Sequence, residues 1–324
     1  MSESSNNAKI VYIVAHGHSG TTLLDTLIGN MPGAVSTGEV ERIAQWAASD
    51  DPDKVCTCGA PITECELWGP CCDRLRSDAG EENLTRDSFW ARFPVHLGDH
   101  GKRFYVGFLL PLLLLLGSSR LLGLFRRYAP VSAALRATDN SWHLFRALQS
   151  VSGARIIVDS SKSPLRMKAL YLTRRALGQR QPLYIIHMVR DGRAIVSSYQ
   201  RRIPRSVAHY ANEWRRRLLY RTAMLFTVSG QDRLTLKYED LASSPLATLQ
   251  AICTFIGEPE SLAGEAFENA GAVKHNVSGN PARLDRDALA RVRLDERWRQ
   301  ELSAEDLSVF RRRAGLLNRW LGYK

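Results

Sequence analysis

The sequence predicts an α/β protein: a parallel sheet flanked by helices, with a helical insertion. Three observations predict it. Short β-branched runs are apolar throughout, as in strands buried on both faces; a helix-compatible stretch follows each; and a glycine-rich turn joins the first run to the first helix. The first run, residues 10–14, ends in Ala15-His16-Gly17-His18-Ser19-Gly20. Residues 21–28 then carry helical spacing and close at Gly29-Asn30 ahead of Pro32. Residues 155–159 and 183–189 read as two more buried strands. A fourth, residues 234–238, precedes a helix over about 245–256 that Gly257 ends.

Residues from about 50 to 150 break the alternation and read as a helical insertion or cap on a single domain spanning 1–324. Within it, residues 104–119 carry no charge and include Leu112-Leu113-Leu114-Leu115-Leu116. A spanning helix needs about 20 apolar residues. Arg120 interrupts the run and Pro111 kinks it, so a buried core or cap helix is expected over residues 104–125. The alternatives are a surface that meets lipid, giving peripheral membrane contact, and a true span.

The 324 residues are 44% hydrophobic and 24% charged, which excludes disordered and collagen-like chains. Lys plus Arg is 44 against 33 Asp plus Glu, a net charge of +11 that favours an anionic partner. Six cysteines are too few for a disulfide scaffold. No basic segment followed by an apolar one opens the chain, so a cytoplasmic location is expected.

Function is legible in two segments. Successive backbone N–H groups in a glycine-rich turn that feeds a helix form an anion nest, aided by the helix dipole. Gly17-His18-Ser19-Gly20-Thr21-Thr22 has that composition and context. Gly20 is followed by Thr21, where an NTPase loop of this type would carry lysine, so metal-assisted hydrolysis of a nucleoside triphosphate is disfavoured. The second segment, Val189-Arg190-Asp191-Gly192-Arg193-Ala194-Ile195-Val196-Ser197-Ser198-Tyr199, leaves a strand end and enters a helix. Open α/β sheets bind ligands at that end. Arg190 and Ser198 are placed to clamp one phosphate, the arginine by bidentate bonds and the serine by its hydroxyl.

These segments resemble the sulfotransferases that use 3′-phosphoadenosine 5′-phosphosulfate (PAPS). His18-Ser19-Gly20-Thr21-Thr22 resembles the family's 5′-phosphosulfate loop, and Arg190 with Ser198 its 3′-phosphate motif. Lys237-Tyr238-Glu239-Asp240-Leu241, Pro245 and Phe255-Ile256-Gly257 resemble its later strand and helix. His275-Asn276-Val277-Ser278-Gly279-Asn280-Pro281-Ala282-Arg283 resembles the C-terminal loop that closes over the nucleotide. Thr22-Leu23-Leu24, Pro32, Gly38-Glu39 and Cys56-Thr57-Cys58-Gly59-Ala60-Pro61 point to the bacterial, carbohydrate or tyrosylprotein branch. One departure stands out: the residue before Ser19 is His18 where the family carries Lys or Arg. Histidine is charged only part of the time near neutrality, so a pH-dependent activity is expected.

The resemblance implies a P-loop NTPase-like fold and transfer of a sulfuryl group from PAPS, bound as a co-substrate, to a hydroxyl of a glycan, glycolipid or similar acceptor. It places Glu39 as the base, with Glu41 as alternate, Lys162 on the transferring sulfonate, and His18 on the donor. Gly17, Ser19, Gly20, Thr21 and Thr22 would hold the 5′-phosphosulfate, Arg190 and Ser198 the 3′-phosphate, and Gly279 and Arg283 the nucleotide. Tyr238 is expected to be structural and His275 to cap or hydrogen-bond. Rival readings are another P-loop enzyme such as a kinase, and a non-catalytic nucleotide-binding or membrane-surface module.

Cys56, Cys58, Cys65, Cys71 and Cys72 crowd one stretch. Structural zinc sites prefer cysteine pairs two to four residues apart, Cys56-x-Cys58 is tighter, and no histidine lies among them. Packed thiols are therefore favoured over a metal site or a disulfide, and no metal is expected. The arginine runs 201–202, 215–217 and 311–313 read mainly as solvated helix faces, the first two also as lining for an anionic acceptor or the donor phosphates. No recognition motif or aromatic platform supports nucleic-acid binding.

Overall fold

The computed structural model describes residues 7–49, 51–97, 110–117, 120, 124, 129–269, 274–284 and 293–324. Strand β1 (Lys9–Ala15) runs through the centre of the molecule and hands over to the first helix, Thr21–Gly29. β2 (Ala34–Ser36), β3 (Ile156–Lys162), β4 (Leu183–Val189) and β5 (Arg233–Lys237) complete the sheet. Among the described residues it has five strands in the order β2-β3-β1-β4-β5, with every pairing parallel. This is the parallel, helix-flanked sheet the strand pattern predicts, and it fits the P-loop-like fold the resemblance implies.

The pleat of β1 explains its uniform apolarity. Ile10, Tyr12 and Val14 face one core with Ile157 and Ile185, and Val11 and Ile13 face another with Val158, Ile186 and Met188. The second core is closed by Leu24, Leu27 and Ile28 of the first helix and by Leu249, Ile252 and Ile256 of the helix Pro245–Ile256. The first is closed largely from residues 56–152: Trp68, Trp90, Trp142 and Phe145 are all fully buried against it. A third cluster joins the helices Gly192–Gln200, Val207–Leu225 and Ala304–Trp320 through Trp214 and Phe310.

Three elements differ from expectation. β2 has three residues on the sheet edge, too few to show a period. β3 extends to Lys162 because Ser160 and Ser161, which follow the strand predicted over residues 155–159, are buried strand residues with their own hydrogen-bond partners. Tyr238 opens a short helix, Tyr238–Ser243, instead of ending β5. The leucine run forms the helix Leu110–Leu115, with Leu113 and Leu114 buried and Leu112 and Leu116 exposed. Residues 104–109, 118–119, 121–123 and 125 lie outside the described residues. Among those described, no helix is long and apolar enough to cross a membrane.

A buried ion pair ties the insertion to the sheet. Asp159 of β3 is fully buried and accepts from Arg166 at 3.0 Å. Arg166, 1% exposed, also donates to the Val95 carbonyl (2.5 Å) and to Ser141 Oγ (2.6 Å). The same carboxylate accepts from the Ser161 N–H at 2.9 Å, which fixes the strand end just ahead of Lys162.

Candidate active site

The site forms where β1, β3 and β4 reach their carboxyl ends. Gly20, at the N-cap of the first helix, has φ +79°, and a Cβ there would stand 2.4 Å from the Tyr238 ring, so glycine is required twice over. No side chain caps this helix end, which leaves its first N–H groups for an anion. Ser19 is buried, and its hydroxyl has no hydrogen-bond partner among the described residues. His18 takes φ +65°, a conformation sparsely populated outside glycine and concentrated at functional sites.

The two phosphate segments converge on His18. Arg190 Nη1 donates to the His18 carbonyl at 2.9 Å, and Ser198 Oγ lies 3.1 Å from His18 Nδ1. Arg190 also stacks on the Tyr238 ring at 4.1 Å. Arg190 already holds an anion. Its Nη2 lies 3.2 Å from the Asp295 carboxylate and donates to the Asp295 carbonyl at 2.9 Å, and Arg201 reaches the same carboxylate at 3.7 Å. Arg297 first, then Arg190, hold the Asp295 carboxyl well below the usual carboxylate range. Nothing in the sequence around Asp295 signals this contact.

Glu39 and Lys162 meet across the sheet end at 2.5 Å. Lys162 closes β3 with φ +66°, which turns it off the strand toward Glu39, and Arg42 stands 3.5 Å from the other Glu39 oxygen. Glu41, the alternate base, lines the same cavity as Glu39: its N–H donates to Ser161 Oγ (3.2 Å), and its carboxylate lies 3.5 Å from His96. Gly279 packs against Glu39, since a Cβ there would sit 3.7 Å from Oε1. Arg283 is half-buried over the Trp46 ring, on the Glu39 side.

A cavity of about 590 Å³ gathers Gly17, His18, Glu39, Lys162 and Gly279 with Glu41, Tyr199, Tyr220, Arg202, Arg217 and Arg221. Ser19, Gly20, Thr21, Thr22, Arg190, Ser198 and Arg283 do not line it; Arg190 and Ser198 join it through His18. Tyr199 and Arg221 were not singled out from the sequence. Tyr199 sets its ring edge-on to His18, with centroids 4.5 Å apart. Arg221 is 5% exposed, and burial pushes its guanidinium down to about 10. Burial, reinforced by Arg202, Lys162, Arg190 and Arg201, pushes the His18 imidazole down to about 4. His18 is therefore neutral at pH 7, which corrects the expectation of a part-time charge.

A family model described as "Sulfotransferase family" matches residues 11–261. The chain belongs to the sulfotransferase family. Among solved structures it is similar to the sulfotransferase domain of the Synechococcus PCC 7002 olefin synthase, at 19% identity over 96% of each chain with a TM-score of 0.48. It is also similar to the sulfotransferase domain of the curacin biosynthetic pathway, at 14% identity over 99% of each chain with a TM-score of 0.49. A Mycobacterium tuberculosis sulfotransferase is 16% identical over 82% of this chain and 71% of its own, with a TM-score of 0.41. No curated protein matches.

Proposed function

We propose that the protein transfers a sulfuryl group from PAPS to the hydroxyl of a polar acceptor such as a glycan or glycolipid. The observation that carries this reading is the convergence of an uncapped helix N-terminus, an arginine already seated on an anion, and a Glu–Lys pair around one basic cavity. The residues fit the donor. Ser19 offers a buried hydroxyl without a partner among the described residues, and the Asp295 carboxylate on Arg190 and Arg201 stands in for the oxygens of a 3′-phosphate. The bound donor supplies the sulfonate and the bond from sulfur to its 5′-phosphate oxygen, which breaks as the acceptor oxygen bonds to sulfur.

Glu39 takes the acceptor proton. In the unliganded protein Lys162 neutralises Glu39 at 2.5 Å. An incoming sulfonate competes for that ammonium, so Lys162 moves onto it and frees the carboxylate to act as base. The positive charge then lies where negative charge develops, which is the arrangement that stabilises such a transition state. His18 positions the loop through Ser198 and Arg190. The helix N-terminus holds the 5′-phosphate without a metal ion. Arg202, Arg217 and Arg221 on the cavity wall favour an acceptor that itself carries negative charge.

Mass-spectrometric detection of sulfated product tests the reading, using PAPS and a panel of neutral and anionic glycans and lipid-linked glycans. Sulfation of an anionic glycan by the wild-type chain, lost in Glu39→Gln, is expected. Phosphoryl transfer from ATP with Mg²⁺ in place of sulfation would turn the assignment to a kinase.

A further inference from the structure

The fold completes a side-chain cluster that the order of residues along the chain conceals. Cys56, Cys58 and Cys65 come from one stretch, and His275 joins them from the segment that carries Gly279. Their ligand atoms all lie within 4.8 Å of one another. Cys65 Sγ is 3.5 Å from Cys56 Sγ, 3.7 Å from Cys58 Sγ and 3.2 Å from His275 Nδ1, and Cys56 Sγ is 3.9 Å from the same nitrogen. A tetrahedral Zn²⁺ with Zn–S of about 2.3 Å and Zn–N of about 2.05 Å sets its sulfurs about 3.8 Å apart and sulfur and nitrogen about 3.6 Å apart. Four of the cluster's six ligand separations fall within about 0.4 Å of those edges, and the other two stay within 4.8 Å.

From this geometry we propose that Cys56, Cys58, Cys65 and His275 bind a structural Zn²⁺. Three thiolates and an imidazole favour zinc among the common divalent ions. Cys56 and Cys65 are buried, so their sulfurs are shielded from bulk water. The surrounding backbone supports the ligands: the Leu67 and Trp68 N–H groups donate to Cys65 Sγ, the Cys58 N–H donates to Cys56 Sγ, and Trp68 Nε1 holds the His275 carbonyl at 2.6 Å. Arg283 faces Cys56 and offsets the net negative charge of a three-thiolate site. Cys56-x-Cys58 is tighter than the usual pair, and the fourth ligand arrives from 210 residues away, which is why the spacing along the chain disfavours a metal.

The site fastens the strap that completes the cavity. Directly after His275, Asn276 donates to the buried Asp25 at 2.7 Å, and the Val277 carbonyl accepts from the Glu39 N–H at 2.8 Å. Gly38 pairs with Val277 so closely that a Cβ would lie 2.5 Å from its carbonyl oxygen. Zinc would thus hold, through one short segment, the backbone beside the proposed base and the glycine packed against it.

The test is metal content of the full chain, purified reduced, without a chelator or a metal-binding tag. About one zinc per chain by mass spectrometry is expected, along with intense thiolate-to-metal absorption when Co²⁺ replaces it. The double variant Cys58→Ser/His275→Ala changes the two less buried ligands and should lose the metal, whereas Cys253→Ser, a buried thiol outside the cluster, should keep it. Stripping the zinc should speed amide hydrogen exchange across 274–284. A metal-free protein that takes up no Co²⁺ would overturn the proposal, as would a Cys56–Cys65 disulfide or full retention of zinc in the double variant. None of these readouts depends on PAPS or an acceptor, so the site stands or falls apart from the transferase reading.

Discussion

The donor side and the strap side of the cavity are built in opposite ways. The donor side is contiguous: the loop 17–22 and the turn 190–198 each leave a strand end and enter a helix, and the parallel sheet sets them side by side. The strap side is assembled from distant pieces. Glu39 meets Lys162, Arg166 reaches Asp159, Val95 and Ser141, and His275 meets Cys56, Cys58 and Cys65. The contrast teaches that the half proposed to bind anions is an intrinsic property of two supersecondary units, whereas the half that carries the proposed base depends on long-range ties. Substitutions on the donor side should weaken binding and leave folding intact; those that cut the ties should cost stability or turnover.

The largest effect is expected at Glu39. Glu39→Gln should lower kcat by about 10²–10⁴-fold with donor affinity nearly unchanged, since a positioned base contributes that much. Steady-state kinetics with the donor varied checks it. Arg166→Ala leaves Asp159 charged and fully buried, and should destabilise the fold by about 3–5 kcal/mol in urea denaturation. A smaller loss would show that the insertion holds to the sheet by its apolar face alone.

Acid should loosen both sides. Burial pushes His16 and His187 down to about 3, and His18 down to about 4. The unfolded chain takes up these protons first, so the stability they contribute is full above about pH 6.5 and is lost as pH falls toward 4. Asp25 works against them. Burial raises it to about 6, so it favours the fold below its unfolded pKa, and that contribution is lost as pH rises to 6. Three histidines outweigh one carboxyl, and Tm should fall between pH 6.5 and 4. His18→Gln should flatten part of that slope.

The smallest effect is expected at Asp295. Asp295→Asn removes the carboxylate that occupies Arg190 and should tighten binding of adenosine 3′,5′-bisphosphate by up to about fivefold, the ~1 kcal/mol ceiling of a partly exposed ion pair. Weaker binding would mean that Asp295 braces Arg190 for the ligand instead of competing with it.

What was legible in the sequence follows the same division. The strands of residues 10–14 and 183–189 announced themselves because they are buried on both faces, and the glycine loop because a helix must start there without a side-chain cap. β2 and the end of β3 were not legible: one is too short to show a period, and the other carries Ser160 and Ser161, whose partners lie elsewhere in the chain. The resemblance gave Lys162 a place on the transferring sulfonate, and its contact with Glu39 comes from the fold. His18 was read as a partial cation because its burial and the four cations around it come from the fold. Arg221, Asp295 and the partnership of His275 with three cysteines left no local mark, since each depends on a contact between distant segments.

The central claim is that the contiguous half recognises a nucleotide carrying both 3′- and 5′-anions. Isothermal calorimetry of adenosine 3′,5′-bisphosphate against adenosine 5′-phosphate, without Mg²⁺, on the wild-type chain and Arg190→Ala tests it most directly. The account predicts clear preference for the bisphosphate, and a loss of about 1.5–3 kcal/mol in the variant, the worth of a charge-assisted hydrogen bond, with 5′-phosphate binding little changed. Equal affinity for the two nucleotides, or a variant that binds the bisphosphate as the wild type does, would contradict it.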